Sequence, residues 1–341
     1  MRSQPRKKRR WPLYTGLSIL AIVIAFVAWY VYSGYHALDR LEKPKEDSIF
    51  SNVPEKPEEQ PPEWTGSERV NVLLMGGDNR GLTKGEAPRS DSMLIASFDP
   101  TSKKVHLFSI LRDTYVKIPG HGSDRLNAAL SIGGPNLSMK TISELTGLDI
   151  QYYVYADFQG FIKLVDAIGG VDFYVEKDMK YTSAADKHLY DIDLKQGQQH
   201  LDGDHALQYV RFRHDKLSDF TRTERQRAFL GAVADKLQSG WNLIKLPIIL
   251  NKVVPYVDTN MSVNDMWKLA SLGYKSHQAG SAQLPPMDNL VEQNIGGSTI
   301  GIRDEDKLRE YIQEVLASDS SAASASPSPS GSASASASAT P

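Results

Sequence analysis

Guanidinium, carboxylate and amide side chains gather in three short stretches of this chain. The densest is Arg211-Phe212-Arg213, followed by Asp219, Arg222, Arg225, Gln226 and Arg227. Arginine forks match phosphate oxygens in pairs and stay charged at any physiological pH. The interleaved Val210, Phe220, Phe229, Leu230 and Val233 are apolar. Such a cluster suits a ligand that is both phosphorylated and greasy. The second stretch is Gly76-Gly77-Asp78-Asn79-Arg80-Gly81 with Arg89-Ser90-Asp91-Ser92-Met93. Asp78 follows one strand-like run and Asp91 precedes the next, so the two converge if those strands are neighbours. Two carboxylates beside a diphosphate suit Mg2+, which takes its other ligands from phosphate and water. Turn chemistry accounts for Gly-Asp-Asn and Ser-Asp taken alone; Arg80 and Arg89 in the same loop weigh toward an anion site. The third stretch, Ser109-Ile110-Leu111-Arg112-Asp113-Thr114, ends an apolar strand in an ion pair that on its own is ordinary surface chemistry.

Several strands and helices must carry these groups. Val70–Met75, Met93–Phe98 and Val105–Leu111 read as strands, the last two joined by Asp99-Pro100-Thr101-Ser102. Leu137–Thr146 and Asp157–Ile168 have helical spacing and stop at Gly147 and Gly169-Gly170. Val171–Val175 alternates like a strand. Gly203–Val210, Thr223–Gln238, Val263–Leu272 and Asp304–Leu316 read as helices. On the helix 223–238, extended back one residue, Arg222, Arg225 or Gln226, and Phe229 share a stripe. A solvated basic face over Phe229, Leu230 and Val233 accounts for Arg227. Strands interleaved with helices predict a three-layer α-β-α domain, and hairpin-like connections predict that its central sheet is mixed.

The ends of the chain bound where this domain sits. Residues 1–10 are basic, and 11–32 carry no charge. An apolar helix of about 20 residues crosses the roughly 30 Å hydrocarbon core. Trp11, Tyr14, Trp29, Tyr30 and Tyr32 near the ends of the run fit interfacial belts, and the basic tail fits a cytoplasmic N-terminus. The run is too long, and its end too bulky, for a cleaved signal peptide. Residues 33–66 are rich in Pro, Glu and Lys and read as an extended spacer. Residues 67–317 form the folded unit, and the Ser/Ala/Pro segment 318–341 reads as disordered. The chain has 341 residues, no cysteine and a net charge of -2. It therefore has no disulfide framework, and any polyanion site must be local. The histidines lack metal-ligand spacing, and there is no nucleophile elbow, Walker loop or dinucleotide fingerprint.

Taken together, the motifs resemble the LytR–CpsA–Psr family of Gram-positive envelope proteins. The matching residues are Asn71-Val72-Leu73-Leu74-Met75-Gly76-Gly77-Asp78, Arg89-Ser90-Asp91-Ser92-Met93 and Ser109 to Thr114. They continue through Leu126-Asn127-Ala128-Ala129, Gly169-Gly170-Val171, Leu201 to Leu207, Arg211-Phe212-Arg213, Asp219, Arg222 and Arg225-Gln226. Leu111 replaces a common proline and Arg125 a common lysine. Residues 240–317 carry fewer matches. The resemblance implies a membrane-anchored, extracellular transferase that moves a glycopolymer from an undecaprenyl-diphosphate carrier to the C6 hydroxyl of peptidoglycan N-acetylmuramic acid. It implies Mg2+, with Mn2+ the alternative, on Asp78 and Asp91. It implies diphosphate contacts from Arg89, Arg112, Arg211, Arg213, Arg222 and Gln226, and catalytic roles for Asp91, Arg112 and Arg222. An apolar tunnel beside the helix 223–238 would sheath the prenyl tail. The competing functions are a membrane-bound transcriptional regulator, a non-catalytic binder of prenyl-diphosphate precursors, and a prenyl-diphosphate hydrolase. A folded domain outside the cell has no nucleic acid to bind.

Overall fold

The computed structural model describes residues 11–53, 56, 59–79, 87–182, 191–213, 219–295 and 297–323. The basic tail 1–10, Arg80, Gly81, His188, His214, the side chain of Asp219 and the tail beyond 323 lie outside the description. The uncharged run forms helix α1 (Trp11–Asp39), which continues past Tyr32 for two further turns. Its last residues are no longer bare: Ala37 and Leu38 are buried. The Pro/Glu/Lys-rich stretch after it departs from the expected free spacer. Phe50 and Trp64 are buried, Lys43 Nζ donates to the Val257 carbonyl (2.7 Å), and Ile49 N donates to Asp258 Oδ2 (3.2 Å). Few but large aromatic side chains fix it, an effect that averaged composition hides.

The chain then lays down a hairpin, β1 (Val70–Gly77) and β2 (Ser90–Asp99), and returns through Lys103 (φ 56°) into β3 (Lys104–Ile110). A short hairpin, β4 (Tyr115–Ile118) and β5 (Gly122–Arg125), leads into α2 (Ala128–Thr146). Gly133 and Gly134 break α2 ahead of Pro135, and Gly147 closes it in the left-handed region (φ 72°). β6 (Tyr152–Asp157) runs parallel to β1, with Gly77 paired to Asp157. Asp157 then caps α3 (Phe158–Ala167) by accepting from Gly160 N at 2.7 Å. Two ribbons follow: β7 (Val171–Val175) pairs with β10 (Gly197–Leu201), and β8 (Met179–Tyr181) with β9 (Ile192–Leu194). Then come α4 (Gly203–Arg211), α5 (Asp219–Leu237) and α6 (Gly240–Val253). The chain ends with β11 (Val257–Thr259), α7 (Val263–Lys275), β12 (His277–Leu284), the hairpin β13 (Leu290–Asn294) and β14 (Ser298–Ile302), and α8 (Glu305–Ala323).

The central sheet has the order β11-β6-β1-β2-β3-β12 and is mixed as expected: β6 and β12 are parallel to their partners β1 and β3, the other pairs antiparallel. Period-two alternation divides it between two faces. Leu73, Met75, Met93, Ile95, Phe108 and Ile110 point to one face, under Leu130, Leu137 and Ile142 of α2 and Leu308 and Ile312 of α8. Val70, Val72 and Tyr152 point to the other, under Leu38 of α1 and Met266 and Leu272 of α7. Each such fully buried side chain stabilises the fold by about 1.5–3 kcal/mol. A further apolar cluster binds α3, α4, α5 and α6 to the β7–β10 ribbon. α8 runs into the Ser/Ala segment read as disordered, since Ala322 and Ala323 only prolong a helix already nucleated.

Candidate active site at the sheet edge

β1 and β2 do not pair evenly to their ends. Gly76 faces Ser92 and Gly77 faces Ser90, so Asp91 is the extra residue of a bulge. Bulges re-aim a side chain and end a ladder. Asp78 follows directly on Gly77, which makes it the diagonal neighbour of Asp91. Gly77 cannot be larger: a Cβ there would lie 2.5 Å from Tyr155 Oη and 2.9 Å from the Arg89 carbonyl oxygen. That close approach lets Tyr155 Oη donate to Asn79 Oδ1 at 2.5 Å. Burial pushes the Tyr155 phenol up, and the carboxylates of Asp157, Asp91, Asp78 and Asp258 push the same way. Three of these carboxylates sit at the ends of β6, β2 and β1, so one buried phenol feels them all.

Arg112 follows β3 and closes on the same point. Its Nη1 is hydrogen-bonded to Asp91 Oδ1, and its Nε lies 3.6 Å from Asp113 Oδ2. The expected pair at a strand end is present, and Arg112 also bridges to the β2 bulge. Arg211, at the end of α4, stacks its guanidinium over the Phe158 ring, 5.0 Å from the centroid. Phe158 is the first residue after Asp157, so Arg211 stands beside the carboxylate edge. Arg89 is exposed there. Arg222 is buried in the first turns of α5, which lie across the ends of β3 and β12. Thr223 Oγ1 donates to Gln283 Oε1 (3.0 Å), and Arg227 Nη1 donates to Ser109 Oγ. Gln283 and Ser109 are paired partners two residues short of Leu111-Arg112.

The structure corrects two readings of α5. Arg227 does not lie on a solvated face, and burial pulls its guanidinium pKa down. Arg225, the alternative to Gln226 on the expected stripe, turns inward. Its side chain is 4% exposed, its Nε lies 3.0 Å from Glu176 Oε1, and its Nη2 donates to Thr221 Oγ1 at 3.0 Å. Its Nη1 donates to the Phe212 carbonyl, in the peptide that joins Phe212 to Arg213. Gln226 Nε2 donates to the Val210 carbonyl at 3.2 Å. Arg225 and Gln226 together hold the end of α4. The sequence gives no site role to Asn79, read as turn chemistry, to Asp157, read as a helix start, or to Tyr155. The one available signal was Asp157 three residues ahead of Gly160 at a helix start, because parallel pairing to β1 leaves no local mark.

Along the inner face of α5, Phe161, Phe173, Tyr209 and Phe229 pack ring to ring, with centroids 5.1–6.0 Å apart. These rings belong to the apolar packing beside α5, the helix expected to border a tunnel. Cavities of about 950 and 770 Å3 lie elsewhere, and neither is lined by Asp78, Asp91, Arg112, Arg211, Arg213 or Arg222. The first lies between the 42–64 segment and the edge formed by Tyr153, Asp258 and Asn260. We place the chemistry at the charged sheet edge, because that is where oppositely charged functional groups meet. Among the described residues, no three His, Cys, Asp or Glu side chains could hold a metal ion together. Asp78 and Asp91 supply two hard oxygens, which fits Mg2+ sharing its other positions with phosphate and water and does not fit an all-protein cage.

The model of the LytR_cpsA_psr family matches residues 32–313. The "Regulatory protein MsrR" of Staphylococcus aureus (strain COL) is 30% identical over 255 residues, 72% of this chain and 75% of that protein. The "Polyisoprenyl-teichoic acid--peptidoglycan teichoic acid transferase TagU" of Bacillus anthracis (strain CDC 684 / NRRL 3495) is 35% identical over 264 residues, 75% of this chain and 81% of that protein. Among solved structures, "LytR-CPS2A-psr family protein YwtF (TagT) with bound octaprenyl pyrophosphate lipid" superposes with a TM-score of 0.58 at 27% identity, covering 76% of this chain and 94% of that one.

Proposed function

Because this chain belongs to the LytR–CpsA–Psr family, we propose that it is a transferase acting on a prenyl-diphosphate-linked wall glycopolymer such as wall teichoic acid. The polymer passes to the C6 hydroxyl of peptidoglycan N-acetylmuramic acid. The observation that carries this reading is the junction of Asp91 and Arg112 at the bulged end of the sheet, with Asp78 beside them and Arg211 on Phe158. A site for anions alone gains nothing from two carboxylates among arginines. A diphosphate with a cation needs both.

The acceptor oxygen attacks the phosphorus that carries the glycan. A new P–O bond forms, and the P–O bond to the prenyl phosphate breaks. The hydroxyl proton goes to a base at the carboxylate edge, for which Asp91 is the candidate. The prenyl monophosphate leaves with the bonding pair. Arg89, Arg112, Arg211, Arg213, Arg222 and Gln226 grip the diphosphate oxygens, and Arg112 and Arg222 meet the charge that grows on the leaving group. Bound between Asp78 and Asp91, Mg2+ or Mn2+ would neutralise diphosphate charge. Arg112 is the partner of Asp91 in this structure, and Asp78 and Asp91 are the residues that would hold the cation. The prenyl chain runs along the apolar side of α5, beside the Phe161–Phe229 cluster. α1 crosses the membrane, with the N-terminus cytoplasmic and the domain outside.

The test is incubation of the full chain with a synthetic prenyl-diphosphate glycan and peptidoglycan oligomers, with products read by mass. Asp91→Ala and Arg112→Ala should each lower turnover by about 10²–10³. Near-normal transfer by Asp91→Ala in chelator removes the metal-assisted reading. Absence of transfer by the native chain, with tight retention of the donor, favours a precursor binder or the regulatory role that the MsrR name carries.

A further inference from the structure

α6 exposes a stripe that the fold does not use. Trp241, Ile244 and Ile248 are 65%, 48% and 44% exposed, at helical spacing i, i+3, i+7. Single exposed apolar residues need no explanation. Here three share one face, and the neighbouring helix determines what that face meets. Tyr30 Oη donates to the Leu243 carbonyl (2.7 Å), Gly34 faces Pro247, and Asn251 Nδ2 donates to Ser33 Oγ (3.4 Å). From Tyr30 at Leu243 to Gly34 at Pro247 the numbers rise together, so α1 and α6 run side by side in the same direction. Trp241 precedes Leu243 by two residues, about 3 Å of helix. It therefore stands level with Trp29 and Tyr30, the aromatic end of the apolar run.

We infer that the Trp241–Ile244 end of this α6 face seats in the outer-leaflet interface of the membrane, as a second contact beside α1. This rests on the reading of α1 as a spanning helix. The contact surface of α6 toward α1 is Leu243, Pro247 and Asn251. The exposed stripe is displaced by one residue, about 100° around the axis, so it adjoins the bare surface of α1, where Phe26 and Trp29 are 47% and 45% exposed. The polar headgroup zone is about 5–7 Å deep per leaflet. Trp241 and Ile244 fall within it, and Ile248, about 10 Å above Trp241, rises beyond it. Charge agrees: α6 carries Lys245 and Lys252 and no acid, and Lys245 Nζ lies 5.0 Å from the Trp241 ring centroid. Tryptophan flanked by lysine suits an anionic lipid surface. Two attachments fix a domain's orientation as one cannot.

The chain has no cysteine, so single-cysteine variants of the full-length protein carry one fluorescent probe each. Probes go at Trp241→Cys, Ile244→Cys, Val23→Cys and Met287→Cys, in vesicles of phosphatidylglycerol and phosphatidylethanolamine. Met287 is exposed and follows β12, the sheet edge opposite β11. Headgroup-level nitroxide lipids should quench 241 and 244 and leave 287 bright, while aqueous iodide does the reverse. Acyl-chain nitroxides should quench 23. Iodide access at 241 and 244 equal to that at 287, with 23 still quenched, overturns the second contact and spares the anchor. An unquenched probe at 23 overturns both. Protection of 241 and 244 from iodide without quenching by lipid assigns the face to another copy of the chain and also overturns the inference.

Discussion

Arg225 serves the fold. Its guanidinium ties Glu176, Thr221 and the Phe212 carbonyl together, and so fixes the peptide that joins Phe212 to Arg213. Arg225→Ala should lower stability by about 1–3 kcal/mol, the scale for losing charge-assisted hydrogen bonds. Glu176 is 43% exposed and can rehydrate, which keeps the loss from reaching that of a fully buried pair. Thermal unfolding and donor affinity should both suffer, and a variant of native stability would show that the tie is idle. Gly77 makes a complementary case. Gly77→Ala drives a methyl into Tyr155 Oη and the Arg89 carbonyl, an overpacking that costs about 1–3 kcal/mol. Adding Tyr155→Phe removes one of the two clashes, so the double variant should be more stable than Gly77→Ala alone. A double variant no more stable than the single would place the strain in the backbone by itself.

Among elements, the segment 40–66 is the least expected part of the fold. Phe50 meets Tyr153 and Tyr155 edge-on, with centroids 6.3 and 5.4 Å away. Phe50→Ala should cost about 3 kcal/mol in chemical unfolding of the full chain. A change near zero would return the segment to a loose spacer. The β2–β3 turn offers a pH test. The Asp99 carboxyl is held below the usual carboxylate range: burial, the largest single influence, raises it, and the Thr101 amide, the Ser102 hydroxyl and Arg69 together outweigh burial. A depressed pKa stabilises the fold above the unfolded value of about 3.9, and that stability is lost as pH falls through the folded value. The stability gap between the native chain and Asp99→Asn should hold at neutral pH and close in acid; a gap that widens in acid contradicts the sign. Legibility followed locality. β1, β2, β3, α3, α4 and α5 announced themselves by period and by glycine or aspartate at their ends. β6 and β12 did not, because their pairing to β1 and β3 is parallel and remote in sequence. α6 was hidden by its internal Pro247 and an apolar composition without clear period. In the site, Asp78, Asp91 and Arg112 could be read as strand-end residues. That Arg225 and Arg227 turn inward could not, since both follow from how α5 lies across β3.

For the whole molecule, the sheet order brings chain segments far apart in sequence to one edge, with β1 and β2 at its centre. The carboxylates thus rest on the best-supported strands, and the arginines on helices laid over them. Variants at Asp78 or Asp91 should therefore change activity with little change in unfolding midpoint. A large loss of stability in either would mean that they hold the sheet rather than the substrate. α1 enters the domain without a loose joint: Ala37 and Leu38 are buried, and Glu42 Oε2 accepts from Val263 N at the start of α7 (2.9 Å). On the anchor reading, the reactive edge rides at a set altitude above the lipid. Donors dissolved in the same leaflet are then met by lateral diffusion in two dimensions, and only wall strands passing through a thin slab come within reach. A flexible Gly/Ser insert after Asp39 should blur the depth at which newly attached polymer appears across the wall, while an unchanged depth would mean that the wall sets it. With the stalk intact, the protein would choose its acceptors by height.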